Sequence, residues 1–277
     1  MIERRITDWD DAYANGIHIP KSEAWPGVWE EAAAAFREQG VAQGQARLNL
    51  AYGSHPRQRF DLFMPEGNAR GLLVFVHGGY WMSLNKDVWS HCAQGALAHG
   101  LAVAIPSYRL CPHVSISTIG EDVAAAVTAA AEMAPGPIVL TGHSAGGQLV
   151  ARLATTTSPL PAAIRARLAR IVPISGVHDL RPLMATRMNG TLRIDAALAA
   201  GESPALSSPL PGTSLVCWVG GAERAEFLRQ SALLANVWTG LGAATELVVE
   251  PDRHHFSILD GLTDPGHALV RALIAGI

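Results

Sequence analysis

The sequence is poor in the features that mark whole classes of protein. It has three cysteines in 277 residues, Cys92, Cys111 and Cys217. They cannot all pair, and their spacing fits no zinc or redox motif, so three reduced thiols in a cytoplasmic protein are expected. Charged residues make up only 16% and the net charge is −3, with no run of Lys or Arg. The basic stripe that tracks phosphates is missing, so no nucleic-acid partner is expected. Long apolar runs are missing too. The run Leu72–Val76 ends at once in His77-Gly78-Gly79. A membrane helix needs roughly 18 apolar residues, so no membrane partner is expected. The first residues, MIERRITDWDD, are charged and carry no apolar stretch of the signal-peptide kind. There is no internal repeat and no low-complexity block.

What is present points to a folded core. Hydrophobic residues make up 49% of the chain, which excludes a disordered protein. At this length roughly three quarters of the unfolded surface can be buried. Residues 1–277 read as one domain, with 1–45 as an N-terminal cap segment that holds Trp9, Tyr13, Trp25 and Trp29. Within that segment Trp29–Arg37 reads as a helix that Gly40 stops. The body then alternates. Strands are expected at Ala46–Tyr52, Gln58–Met64, Leu72–Val76, Leu101–Ile105, Pro137–Thr141, Ile171–Ser175, Ser214–Val219 and Thr245–Val249. Helices are expected at Lys86–His99, Ile119–Ala134, Ala145–Thr155, within Glu223–Leu241 and at Pro265–Ala275. The partial alternation Phe60, Leu62, Met64 marks the second strand as half buried. Strands and helices in this rhythm imply an α/β fold, a mostly parallel sheet with helices on both faces. The stretch 179–211 breaks the rhythm and reads as an insertion over the carboxyl edge of the sheet, where ligands bind in such folds.

The strongest chemical signal is Gly142-His143-Ser144-Ala145-Gly146-Gly147. It follows an expected strand and opens an expected helix, the setting that a G-x-S-x-G nucleophile requires. The turn is so tight that the serine backbone is strained and small flanking residues are needed. The strain holds the Ser144 hydroxyl above the sheet. A serine hydroxyl is a weak nucleophile and needs a base, and the base needs an orienting acid. In serine sites of this kind the acid follows the serine in the chain and the base comes last. His255, just after the last strand, is the favoured base, and its neighbour His254 is the rival. Phe256 is expected to pack beneath the imidazole. Glu223 is the first carboxylate after the strand Ser214–Val219 and is the favoured acid. Glu226 is the rival, although it falls on the following helix. Asp252 and Asp260 are too local to the histidine.

A second motif, His77-Gly78-Gly79-Tyr80-Trp81, follows the strand that ends at Val76. Acyl transfer places negative charge on a former carbonyl oxygen, and backbone N–H groups aimed there stabilise it. Gly78 and Gly79 are the candidate donors, with the N–H of Ala145. His77 reads as a brace for this loop. Tyr80 and Trp81 are expected to wall a pocket for a flat or aromatic substrate, with His77 and His143 beside them.

With these residues in hand, the chain resembles the α/β-hydrolase superfamily, in its esterase branch with an HGG loop. More narrowly it is similar to the kynurenine formamidase (arylformamidase) group. The segments that carry the likeness are HGGYW at His77–Trp81, GHSAGG at Gly142–Gly147, ISGVHDLRPL at Ile174–Leu183, EFLRQS at Glu226–Ser231 and His255-Phe256. They cover most of the body from about Arg57 onward. The family's acid is often Asp, and Glu223 is one methylene longer. The resemblance implies hydrolysis of an aryl formamide such as N-formyl-L-kynurenine, with no metal and no cofactor. The partner is then a small-molecule acyl substrate, with a homodimer left open as the assembly. The alternatives are a carboxylesterase or amidase acting on another small acyl group, and a non-catalytic ligand-binding protein on the same fold. The last would be expected to have lost one of Ser144, Glu223 or His255.

Overall fold

The computed structural model describes residues 5–277. Its strands are β1 (Ala46–Ala51), β2 (Arg59–Phe63), β3 (Gly71–Val76), β4 (Leu101–Pro106), β5 (Ile138–His143), β6 (Leu168–Ile174), β7 (Ser214–Gly220) and β8 (Ala244–Glu250). They form one sheet in the order β1-β2-β4-β3-β5-β6-β7-β8. β2 runs antiparallel to β1 and to β4, and every other pairing is parallel. The helices are α1 (Trp9–Tyr13), α2 (Trp25–Ala42), α3 (Gln94–Ala98), α4 (Ile116–Met133), α5 (Ala145–Leu153), α6 (Ala162–Arg165), α7 (Asn189–Leu192), α8 (Ala196–Glu202), α9 (Ala225–Gly240) and α10 (Ala268–Ile274).

The apolar runs explain the layers. Successive side chains of a strand face opposite sides of the sheet. In β3, Leu72, Val74 and Val76 join the core under α4, α5 and α9. Leu73 and Phe75 join the other core with α2, α3 and α10. All six residues of β3 are buried. Each such side chain contributes about 1.5–3 kcal/mol, so a run without polar residues is what a central, doubly covered strand requires. α4 is Ala-rich, and Ser115 caps it by accepting from Thr118 N–H. Among the described residues no helix is long and apolar enough to cross a membrane.

Four local expectations are corrected. The helix expected at Trp29–Arg37 spans Trp25–Ala42 and runs through Gly40. Gly40 is there for packing, since a Cβ on it would stand 3.0 Å from the Ala46 Cβ. The helix expected at Lys86–His99 is broken into 3-10 turns at Lys86–Val88 and Ser90–Ala93 before α3. Lys86 is drawn inward, with Nζ 2.9 Å from Asp61 Oδ1. β2 is not half exposed. Phe63 is buried like Phe60 and Leu62, and Asp61 is buried as the partner of Lys86. Finally, 179–211 holds more helix than expected, with 3-10 turns at Arg181–Ala185 and Pro204–Leu206 around α7 and α8. The three cysteines are free and buried.

Register lines up the strand ends. Val76 pairs with Gly142, His143 with Ile174, Ile174 with Trp218 and Gly220 with Glu250. The loops after β3, β5, β6, β7 and β8 therefore leave the sheet side by side.

Candidate active site

Ser144 sits between β5 and α5 with φ 55° and ψ −115°. That conformation is strained for any residue with a side chain. The neighbours enforce it. A Cβ on Gly146 would lie 2.0 Å from the Val76 carbonyl oxygen, and one on Gly142 would lie 2.5 Å from the Gly146 carbonyl oxygen. The elbow is thus pressed onto the end of β3, with no room for side chains at the two glycines. Ser144 is the residue before α5, yet its hydroxyl caps no N–H of that helix. The usual role of a serine at a helix start is left unfilled, and the hydroxyl remains available for chemistry.

His255 Nδ1 lies 2.6 Å from Glu223 Oε2. The other carboxylate oxygen, Oε1, accepts from the Ser175 hydroxyl at 2.5 Å and from Gly220 N–H at 2.9 Å. Both Glu223 oxygens are committed, and the imidazole is held through Nδ1. His255 is further gripped by its backbone, because His143 Nε2 donates to the His255 carbonyl at 2.9 Å. Two rings pack on the imidazole, His143 and Phe227 of α9, each with a centroid separation of 4.4 Å. Ser144 is 5% exposed and His255 4%. Among the described residues no hydrogen bond joins Ser144 Oγ to His255. Catalytic bonds of this type are often open without substrate and tighten when it binds.

The rivals are placed elsewhere. Glu226 is buried in α9, where its carboxylate takes two bonds from Arg229, one from the Tyr13 hydroxyl and one from Gln230. His254 turns from the site. Its Nδ1 accepts from the N–H groups of Phe256 and Ser257, and its ring meets Trp25 edge-on at 5.3 Å.

The HGG loop lies on the serine. A Cβ on Gly78 would stand 3.1 Å from the Ser144 Cβ. The N–H groups of Gly78 and Gly79 find no acceptor among the described residues. Ala145 N–H is the first of α5 and has no carbonyl of its own helix to meet. Gly79, Tyr80 and Trp81 all take positive φ, of 112°, 54° and 58°, which winds the loop tightly over the elbow. His77 holds its base. The ring stacks on Tyr108 at 4.3 Å and 11°, and Nδ1 donates to the Gly78 carbonyl at 2.6 Å. Burial pushes His77 down to about 4. Burial and then the neighbouring His255 hold His143 well below the usual histidine range. Both rings are neutral braces at neutral pH.

Three expectations about this region are corrected. His143 does not face a substrate pocket, because its ring is spent on His255. Trp81 does not wall the pocket. It is 1% exposed and its indole N–H donates to Gln148 Oε1 at 3.0 Å, inside the core. Phe256 does not lie beneath His255. It packs on Trp29 at 5.1 Å, and Phe227 takes the place beside the imidazole. Tyr80 reaches the N-terminal segment, accepting from Asn15 Nδ2 at 3.2 Å and donating to the Tyr13 carbonyl at 2.9 Å. That segment is also pinned by Asp11 to Arg224 and by Asp10 to Arg187. The structure adds Ser175, Gly220, Phe227, Tyr13 and Asn15 to the surroundings of the site. Ser175 lies within ISGVHDLRPL, but nothing local in that segment marks a lone buried serine as the partner of Glu223.

The sheet order, the strained serine at the end of β5 and the loops gathered above it define an α/β hydrolase. Residues 73–258 match the family described by the alpha/beta hydrolase fold, and the chain belongs to that family. It is a hydrolase. Two curated relatives are named kynurenine formamidase. The one from Danio rerio is 27% identical over 86% of this chain and 84% of its own length. The one from Drosophila melanogaster is 26% identical over 94% of both. A crystal structure from Silicibacter sp. tm1040, of a protein provisionally described as a thioesterase, superposes with a TM-score of 0.92. It is 48% identical over 97% of this chain and 99% of that one.

Proposed function

We propose that the protein is a serine hydrolase of small acyl groups with an aryl formamide such as N-formyl-L-kynurenine as substrate. Ser144 is the nucleophile, His255 the base and Glu223 the acid. The observation that carries this reading is the Glu223–His255 pair, 2.6 Å apart and buried beside a strained serine. A carboxylate there fixes the tautomer that leaves Nε2 free to take a proton, and it stabilises the imidazolium that results.

In this mechanism the Ser144 oxygen attacks the formyl carbon while its proton passes to His255 Nε2. The oxyanion is held by N–H groups of Gly78, Gly79 and Ala145, with the N-terminus of α5 adding to the favourable field. The imidazolium returns the proton to the nitrogen of the leaving aryl amine, and the C–N bond breaks. Water, deprotonated by His255, then releases formate from the formyl-serine. The near-complete burial of Ser144 favours an acyl group as small as formyl. Tyr80 ties the Trp9–Asn15 segment to the HGG loop that lies on Ser144. The relatives named kynurenine formamidase support the same substrate class.

The 48% identical neighbour described as a thioesterase favours a second reading, a carboxylesterase or thioesterase on the same residues. Comparing kcat/KM for N-formyl-L-kynurenine, p-nitrophenyl acetate and a short acyl thioester decides between them, with Ser144→Ala as the control. Preference for the formamide is expected. Preference by orders of magnitude for an ester or thioester would discard the substrate and keep the chemistry.

A further inference from the structure

Glu223 raises a physical question that the triad alone does not answer. A glutamate side chain has one more rotatable bond than an aspartate, and that freedom must be removed for its carboxylate to hold an imidazole in one orientation. The chain could remove it by packing or by hydrogen bonds. Here it uses hydrogen bonds, and the decisive one comes from a strand that carries neither the acid nor the base.

Ser175 stands directly after β6, fully buried, with φ at +52°. Positive φ is costly for a serine. The position is locked by its own N–H, which donates to the Trp218 carbonyl at 2.7 Å. The hydroxyl then reaches Glu223 Oε1 at 2.5 Å. Gly220 N–H reaches the same oxygen at 2.9 Å. The result is a division of labour between the two oxygens. Oε1 takes two donors from the protein frame, and Oε2 is left to the imidazole alone. Without the hydroxyl, Oε1 keeps a single donor, the N–H of Gly220 at the end of β7. The carboxylate can then rotate about its last bond.

We propose that Ser175 is a positioning residue for the reaction, acting through Glu223 to hold His255 in its productive orientation. The inference rests on the assignment of Ser144, Glu223 and His255 above. It is independent of which acyl substrate is natural, so p-nitrophenyl acetate serves as the probe.

The test is a double-mutant cycle on the whole chain. Ser175→Ala alone is expected to lower kcat and kcat/KM together by about 10- to 100-fold, the value of one hydrogen bond to a charged group. An equal fall in both is the mark of an interaction made in the transition state. In a Glu223→Ala background the same change is expected to cost less than twofold, because the group it acts through is gone. Ser175→Gly separates the hydroxyl from the backbone, since glycine relaxes the strain while deleting the same bond. It should lose activity as Ser175→Ala does while melting no lower than the parent. Three results overturn the proposal. One is full activity in Ser175→Ala, another an equal loss with and without Glu223, and the third activity restored by glycine. If Ser144→Ala retained turnover in the same assay, the failure would lie in the triad and not in Ser175.

Discussion

Replacing Gly78 by alanine tests the proposed oxyanion loop without disturbing the fold. The backbone at Gly78 does not have positive φ, so alanine can adopt it. The added methyl group, however, would meet the His143 carbonyl oxygen at 3.0 Å, the Ser144 Cβ at 3.1 Å and His143 Nδ1 at 3.2 Å. Carbon prefers such neighbours at about 3.5–4.0 Å. None of the three can withdraw easily. Ser144 is fixed by the elbow, and the His143 ring is clamped to His255. The loop must therefore back away by a few tenths of an ångström, carrying the Gly78 N–H with it. A donor lost from an oxyanion hole costs about 2.7–4 kcal/mol, or roughly 10²- to 10³-fold in kcat. We expect kcat to fall by about 10²-fold with KM changed little, and stability to drop by no more than about 1–3 kcal/mol. Steady-state kinetics on p-nitrophenyl acetate, paired with urea unfolding of the same preparation, reads both quantities. A folded variant with kcat within threefold of the parent would show that Gly78 N–H does not face the developing charge.

Ser144→Ala should remove turnover to near background and leave the melting temperature unchanged, since alanine keeps the Cβ that the elbow already holds and the lost hydroxyl caps no N–H; circular dichroism and the same ester assay check both. Glu223→Gln places an amide against His255 Nδ1 and should cost roughly 10³- to 10⁴-fold in kcat, as an acid-to-amide change does in such triads. Glu226→Gln leaves the dyad intact and should instead lower stability by about 1–3 kcal/mol through the loss of charged bonds to Arg229, with kcat within fivefold in parallel assays. Leu73→Ala in the fully buried β3 should destabilise by about 2–5 kcal/mol in urea titrations. Stability should also fall with acid. Burial lowers His77 and His91 to about 4 and His178 to about 3, from an ordinary value of 6.5. The unfolded chain therefore binds more protons than the native one below pH 6.5, and stability is lost from there down toward pH 3–4. Urea midpoints that stay flat from pH 7 to 4 would contradict this.

The parts of the molecule that could be read from sequence are those in which local pattern and tertiary role coincide. β3 is a central strand because it is apolar throughout, and the same five residues announce it in the sequence. The elbow is legible because its glycines are demanded by backbone contacts within a few residues and at the end of β3. The Glu223–His255 contact could be anticipated only through chain order, and the 2.6 Å separation is set by strand register. What pattern could not show are choices made by distant partners. Lys86 breaks a helix because a buried Asp61 on β2 calls it inward. Trp81 faces the core because Gln148 on α5 offers it an acceptor. Phe227 of α9 stands 4.4 Å from the imidazole of His255, whereas Phe256, next to it in the chain, stands 6.3 Å away. In each case the deciding atom lies tens of positions away.

The N-terminal segment has a consequence for how the protein is made. The Tyr13 hydroxyl closes on Glu226, 213 residues later in the chain. At synthesis rates of about 5–20 residues per second, roughly 10–40 seconds pass between the two. In that interval Tyr80 and then Arg187 are made and can hold the segment, but its buried partner on α9 is still missing. The Trp9–Tyr13 helix therefore gains its last buried hydrogen bond only when α9 is complete.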